Sequence, residues 1–475
     1  MRLIPSSPVD RLVDLLPRLR QGELSPVDWI DRLEDRFAAV EADLLAFLPE
    51  PGRFERLRRE AEALLARFPD PAGRPPFFGL PVGVKDVFHV DGLPTRAGTS
   101  LSPELFASRE DKGVNQDDEA PNAEAHVVTR LRRAGALILG KVACTELAYF
   151  GPGPTRNPHD TAHTPGGSSS GSAAAVAAGL APLTLGTQTI GSIGRPAAYC
   201  GVVGFKPSYD RVSRHGLIPL AAGADHVGWF TADADNAAAV AAAFLPDYRE
   251  PSSDLPAPTL AVAGGAYLAS ADPTGRERFR GACERLRQAG LRLVEPDLPI
   301  DFERVTALHR RLVAAEFFRA QRTLVEAHGD RLHPKTLDLF KTGSRIKDAE
   351  LEEALEERLV TRRRLERGLD DAGADLWLSP AAPGPAPLGL DATGDPIMNL
   401  PWTHSGLPTL VLPDGAGGLP DSAVVLPDGA GGLPTGLQLA APFGRDEELL
   451  AWGVQLQSSI RPSLTSLGPF DSESP

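Results

Sequence analysis

The sequence predicts an α/β protein. Short apolar runs of strand length alternate with segments whose apolar residues recur at helical spacing, the pattern of a sheet covered by helices. The strand candidates are GLPVGVKDVFHV (79–90), the apolar end of VVTRLRRAGALILGKV (127–142), TLAVAGG (259–265), LRLVEPDL (291–298) and DLWLSPAAPGPAP (375–387). With 475 residues, 42% hydrophobic and 24% charged, the chain has the make-up of a folded globular protein with a large core. No long flexible linker interrupts it, so one domain over 1–475 is expected. That domain would hold a helical segment at 1–68, a central core at 75–245 and a remainder at 255–475.

Taken in order, Ser25-Pro26 is a cap and first-turn pair for a helix through WIDRLEDRFAAVEADLLAFL. After the turn-rich PDPAGRPPF comes the first strand. The polar, acidic stretch REDKGVNQDDEAPN (109–122) has no periodicity and reads as a loop. Residues 127–142 read as a helix stopped at Gly135, then a buried strand. RERFRGACERLRQAG (276–290) is a helix, and two long polar-rich helices are expected near 302–328 and 346–372. VLPDGAGGLP occurs at 411–420 and again at 425–434, a local tandem duplication and not a solenoid repeat.

Composition excludes several function classes. The net charge of −14 argues against nucleic acid or an anionic membrane as a main partner. Only seven of the 49 basic residues are lysine, a bias that fits GC-rich coding better than a binding device. Cys144, Cys200 and Cys283 are odd in number and lack paired spacing, so neither a disulfide framework nor a zinc site is signalled. MRLIPSSPVDRL has no signal-peptide core, and the longest apolar run, AAAVAAGLAPLTLG, is broken at Gly179 and Pro182. A soluble, cytoplasmic protein is expected.

The chemistry is concentrated in serines and one lysine. Gly167-Ser168-Ser169-Ser170-Gly171 satisfies G-x-S-x-G, a nucleophile elbow centred on Ser169, and SAAAVAAGLA supplies the following helix. The strand that must precede an elbow is absent, because RNPHDTAHTP is polar and broken by proline. A neutral lysine can also activate a serine, provided that burial lowers its pKa from the usual value of about 10.4. Lys85 closes the apolar run GLPVGV and is followed by Val87-Phe88, which suits a dry site.

Three segments then occur together: FGLPVGVKDVFHVDGLPTRAGT with Lys85, HTPGGSSSGSAAAVAAGLAPLTLGT with the serine cluster, and QTIGSIGRPAAYCGVVGFKPS with Ser192. They resemble the amidase signature family over about residues 75–245, and LSPAAPGPAP, NLPWTHSGLPTLVLP and PTGLQLAAPFGRDEELLAW extend the resemblance to the C-terminal part. The resemblance implies the amidase-signature fold, a large central mixed β-sheet flanked by helices on both sides. It implies a Ser–cis-Ser–Lys triad in which Ser192 is the nucleophile, Ser168 the proton relay and Lys85 the base. The Gly167–Ser168 peptide would be cis. Backbone N–H groups of Thr189, Ile190, Gly191 and Ser192 would form the oxyanion hole. Tyr149, Phe150, Ser169 and Trp402 are the expected substrate-pocket residues. No metal and no organic cofactor is implied.

The expected activity is hydrolysis of linear amides through a serine acyl-enzyme. An esterase or carbamate hydrolase with the same triad is the alternative, and a non-catalytic binding protein on the same fold is the alternative of another class. The expected partners are a small-molecule amide, ester or carbamate, no nucleic acid, no membrane, and at most a second copy of the chain in a homodimer.

The chain departs from the family pattern D-T-G-G-S-I-R-x-P, reading Gln188-Thr189-Ile190-Gly191-Ser192-Ile193-Gly194-Arg195-Pro196, with Ser170 where glycine is usual. Ile190 would be strained if its position required positive φ. Family members that hydrolyse glutamine within transamidation complexes keep the D-T-G-G-S-I-R form, so its loss favours a stand-alone amidase. Four other features read as structural. His159-Asp160 and His163 lie in a loop without metal-ligand spacing, and the adjacent Asp225 and His226 point to opposite faces. Lys141 and Lys206 are read as ion-paired or surface lysines.

Overall fold

A computed structural model of the chain describes residues 11–106, 124–414 and 432–460. Its ten strands are β1 Pro81–Lys85, β2 Leu137–Val142, β3 Leu183–Gln188, β4 Val203–Lys206, β5 His226–Thr231, β6 Leu260–Val262, β7 Leu293–Val294, β8 Leu376–Pro380, β9 Thr409–Pro413 and β10 Gly436–Ala440. They form one mixed sheet in the order β2-β1-β3-β5-β4-β9-β10-β8-β6-β7, accompanied by fourteen α-helices among the described residues. The expected α/β class and large mixed sheet are therefore present.

The pairing follows from connection length. β1 lies between β2 and β3, parallel to both, with Lys85 opposite Val142 and Val82 opposite Leu183. Parallel neighbours need long crossovers, supplied here by the stretches that carry the helices His126–Arg133 and Ser170–Ala177. The middle of the sheet, β3-β5-β4-β9-β10-β8, is antiparallel, and β6 returns parallel to both β8 and β7. Every residue of every strand but β7 is buried, so both faces of the sheet are covered along these strands.

Local chemistry accounts for the helices near the site. Ser25 Oγ accepts from Val27 N–H at 3.2 Å and caps Pro26–Leu44. The helix Ser170–Ala177 is built of Ser, Gly, Ala and Val and is buried from Ser170 to Val176. Its small side chains let it press against neighbouring backbone: a Cβ on Gly171 would fall 2.3 Å from the Ala46 carbonyl oxygen.

Several expectations are refined. The helices expected near 302–328 and 346–372 are Phe302–His328 and Asp348–Ala372, and between them lies an unanticipated third, Pro334–Gly343. LRLVEPDL contributes only the two-residue β7, and the strand in GLPVGVKDVFHV stops at Lys85. Periodicity does not mark β3, β4, β5, β9 and β10, which are short and sit among glycines and prolines. The loop at 109–122 and most of the VLPDGAGGLP duplication lie outside the described residues. No described helix is long and apolar enough to cross a membrane.

Lys141 is neither exposed nor idle. It forms a buried ion pair with Asp86 at 3.0 Å and donates to the Phe88 carbonyl at 2.8 Å and to Thr95 Oγ1 at 2.7 Å. Asp86 Oδ2 also accepts from the N–H groups of Arg96 and Gly98 at 3.2 and 3.4 Å. This network pins the chain as it leaves β1, one residue beyond Lys85. Lys141→Met leaves the buried Asp86 carboxylate without its cation, so it should lower unfolding free energy by about 3–5 kcal/mol. The shift of the urea unfolding midpoint measures it.

Candidate active site

Lys85 ends β1 in the interior of the sheet with no exposed surface. Its Nζ lies 2.8 Å from Ser168 Oγ and 2.7 Å from Thr187 Oγ1. Among the described residues it has no ion-pair partner within salt-bridge distance. Burial therefore lowers its pKa to about 8, against smaller opposing effects of Cys144 and Asp225. The other two buried lysines differ in surroundings. Lys141 faces a carboxylate, whereas among the described residues the hydrogen-bond partners of Lys206 are the carbonyls of Leu407 and Pro207, at 2.6 and 3.2 Å. Lys206 is thus neither a surface nor an ion-paired residue, and burial lowers its pKa to about 7.

Ser168 sits where the extended segment turns into the helix Ser170–Ala177, and the Gly167–Ser168 peptide is cis. Both carbonyls of this dipeptide are held. Gly167 O accepts from Arg195 Nη2 at 2.5 Å, and Ser168 O accepts from Thr145 N–H at 3.2 Å. Arg195 also donates to the Gly394 carbonyl at 2.6 Å and to Thr393 Oγ1 at 3.2 Å, so a buried guanidinium clamps the serine cluster to the 393–394 loop. Ser170 Oγ donates to Gly166 O at 2.7 Å, which gives the serine in place of the usual glycine a structural contact.

The turn 189–192 follows β3. Neither Ile190 nor Gly191 adopts positive φ, so the β-branched side chain is accommodated without backbone strain. The two positions face different surroundings. Ile190 lines the cavities beside the turn, whereas a Cβ on Gly191 would stand 2.3 Å from Asn399 Oδ1. The first position of the family's glycine pair can therefore carry a side chain here and the second cannot. Among the described residues, no protein group accepts from the backbone N–H of Ile190, Gly191 or Ser192.

The carbonyls of Thr189 and Ile190 and the Thr189 hydroxyl are engaged. Thr189 O accepts from His309 Nε2 at 2.9 Å, and Ile190 O accepts from Thr403 Oγ1 at 2.7 Å. Thr189 Oγ1 donates to Asp225 Oδ1 at 2.5 Å, and Asp225 Oδ2 accepts from the N–H groups of Leu220 and Ala221 at 3.1 Å each. Gln188 Oε1 accepts from the N–H groups of Ile193 and Gly194 at 2.8 and 2.9 Å, and its Nε2 donates to Thr403 Oγ1 at 2.9 Å. Asp225 and His226 are structural, as expected, with His226 Nδ1 at 2.7 Å from the Ala224 carbonyl. Sequence patterns do not reveal Thr187, His309 or Thr403, because their partners lie up to 215 residues away.

Ser192 lines a small cavity with Gly191, Ile190, Arg195, Tyr149 and Phe150. Its Oγ makes no hydrogen bond among the described residues, so the Ser192–Ser168 link expected of a relay is open in this structure. The small cavity shares Tyr149, Phe150, Ile190 and Pro396 with a larger one of about 640 Å3. Val313, Leu339, Ile397 and Leu400 add apolar wall to the latter, and Arg310, Lys335, Asp338 and Asp395 stand at its rim. Tyr149 and Phe150 thus face the pocket. Two expected pocket residues do not. Trp402 is fully buried in a second core with Trp377, Tyr267 and Met398, its Nε1 donating to Tyr267 Oη at 3.2 Å. Ser169 is also fully buried, and its Oγ donates to the Thr187 carbonyl at 3.1 Å, which leaves it unsuited to an elbow nucleophile.

Comparison with known proteins identifies the family and the fold. The Amidase family model matches residues 32–450. A glutamyl-tRNA(Gln) amidotransferase subunit of Thermus thermophilus is 33% identical over 487 residues, covering 92% of this chain and 94% of the relative. A crystal structure of an amidase superimposes with a TM-score of 0.79 at 32% identity, covering 95% of this chain and 100% of that one. The peptide amidase of Stenotrophomonas maltophilia superimposes with a TM-score of 0.73 at 25% identity, covering 95% and 98%. The chain belongs to the Amidase family, hydrolases that act on carbon–nitrogen bonds.

Proposed function

We propose that the protein is a stand-alone amidase that cleaves an amide through an acyl-enzyme on Ser192, with Ser168 as proton relay and Lys85 as base. The observation that carries this reading is the Lys85 amine. It is wholly buried, faces two hydroxyls and, among the described residues, no carboxylate within salt-bridge distance, and has its pKa lowered to about 8. A neutral amine has one lone pair and two hydrogens. It can accept the Ser168 proton while donating to Thr187 Oγ1, which makes Thr187 the residue that orients the base.

In the forward step Ser192 Oγ bonds to the amide carbon as its proton passes to Ser168 and the Ser168 proton passes to Lys85. The carbonyl oxygen takes up negative charge facing the N–H groups of Ile190, Gly191 and Ser192, which have no protein acceptor among the described residues. Collapse of the tetrahedral intermediate breaks the C–N bond, and the leaving nitrogen takes a proton back through Ser168. Water then attacks the ester, and the same groups return Ser192 to its starting state. The open Ser192–Ser168 link closes as substrate fills the site, since catalytic hydrogen bonds commonly tighten only in the Michaelis complex.

The larger cavity favours an amide with a sizeable apolar group. Its volume of about 640 Å3 and its aromatic and aliphatic walls suit a small-molecule ligand. The stand-alone reading rests on Gln188, Ile190 and the displaced Arg195, which depart from the form usual in transamidation complexes. A panel of matched amide, ester and carbamate substrates tests the bond type, with the amide expected to be hydrolysed. Turnover of the ester or carbamate alone would reassign the activity.

A fluorophosphonate probe should add once, on Ser192, by intact mass and peptide mapping. Lys85→Ala should lower the rate of that addition by about 10²–10⁴-fold near neutral pH. An adduct on Ser169, or undiminished labelling of Lys85→Ala, contradicts the assignment.

The pH dependence has a definite sign. Lys85 is active as the neutral amine, so kcat/KM should rise with pH and level off above about 8. A profile that falls over the same interval would exclude the amine as base.

A further inference from the structure

The N–H groups of Ile190 and Gly191 belong to planar trans peptide units whose C=O groups come from Thr189 and Ile190. Within such a unit the N–H points opposite to the C=O. Whatever anchors the carbonyl therefore aims the N–H. The Thr189 carbonyl is anchored by His309 Nε2 at 2.9 Å, and the Ile190 carbonyl by Thr403 Oγ1 at 2.7 Å. The two anchors come from separate helices, Phe302–His328 and Leu400–Ser405, so the turn is held from outside its own segment.

Each anchor is itself oriented. A carbonyl only accepts, so His309 Nε2 must carry its proton. Burial lowers the His309 pKa to about 3, so the ring is neutral and its Nδ1 is an acceptor. His404 Nδ1 lies 3.3 Å from it and supplies the donor. Thr403 Oγ1 receives Gln188 Nε2, and the orientation of that amide follows from the two N–H groups bound to Gln188 Oε1. With a lone pair taken by Gln188, the Thr403 hydrogen is directed to the Ile190 carbonyl, which is closer than the Asn399 carbonyl at 3.1 Å. A carboxylate at 188 could accept from the same N–H groups but would have no hydrogen to give Thr403.

We propose that His309 and Thr403 are positioning residues for catalysis, which hold the Thr189 and Ile190 carbonyls so that the Ile190 and Gly191 N–H groups face the developing oxyanion. This rests on Ser192 as nucleophile. The two residues touch neither substrate nor reacting atoms, and they act through the peptide planes of the turn.

The test compares shape with hydrogen bonding at one position. Thr403→Val keeps the shape and loses the hydroxyl, whereas Thr403→Ser keeps the hydroxyl and loses the methyl. The readouts are the second-order rate of fluorophosphonate addition to Ser192 and the thermal midpoint of each variant. Thr403→Val should react about 10–100-fold more slowly than the parent, and Thr403→Ser within about threefold of it. A packing role reverses that order, with Ser the more damaged variant, and overturns the proposal. So does Thr403→Val reacting at the parental rate on Ser192, a result that leaves the triad reading intact. Failure of the parent itself to label at Ser192 removes the nucleophile and this proposal with it. If Thr403→Val does not fold, His309→Gln, which retains an N–H donor, against His309→Leu, which does not, gives the same comparison at the other anchor. Gln is again expected to stay close to the parent, and equal rates for Gln and Leu overturn the proposal.

Discussion

The arrangement of this protein depends on an amine held in the middle of a sheet without a counter-ion. A charged ammonium is costly in such a place, and the described residues offer Lys85 two hydroxyls and no carboxylate within salt-bridge distance. The neighbouring strand shows the contrast. Lys141 on β2 is almost equally buried but meets Asp86 at 3.0 Å, inside a network that fastens the exit from β1. One lysine is poised to lose a proton, and the other secures the backbone beside it.

Around that amine the fold assembles groups from distant parts of the chain. Ser168 reaches it from the start of a helix whose small residues permit close packing, and Thr187 reaches it from β3. Arg195 acts as a structural cation with carbonyl partners, joining Gly167 to the 393–394 loop. Its burial lowers its pKa to about 10, so it remains charged near neutrality. The serine cluster is consequently held from two sides before any substrate is considered.

The substitutions around the proposed nucleophile acquire physical explanations. Ile190 is tolerated because its φ is negative and its side chain faces the pocket. Gly191 is required because Asn399 occupies the space that a Cβ would need. Gln188 can do what an acid cannot, accepting two N–H groups with its oxygen while donating to Thr403 with its nitrogen. The turn departs from the family's wording, while among the described residues no protein group accepts from the N–H of Ile190, Gly191 or Ser192.

By itself the sequence determined the α/β class, the long helices, the family resemblance and the candidate residues Lys85, Ser168 and Ser192. Those rest on local signals, namely apolar runs, helical spacing and short motifs in which neighbours in sequence carry the information. The central strands β3, β4, β5, β9 and β10 were not legible, because runs of four to six residues between glycines and prolines acquire their identity from pairing partners. Trp402 read as a pocket wall and Ser169 as a pocket contact until packing placed both in the core. Tertiary structure alone decided which buried lysine meets a carboxylate, which hydroxyls surround Lys85, and how His309 and Thr403 hold a turn more than a hundred residues away in the chain. These are long-range contacts between side chains and backbone, and no periodicity in a sequence encodes which distant carbonyl a histidine or threonine will meet.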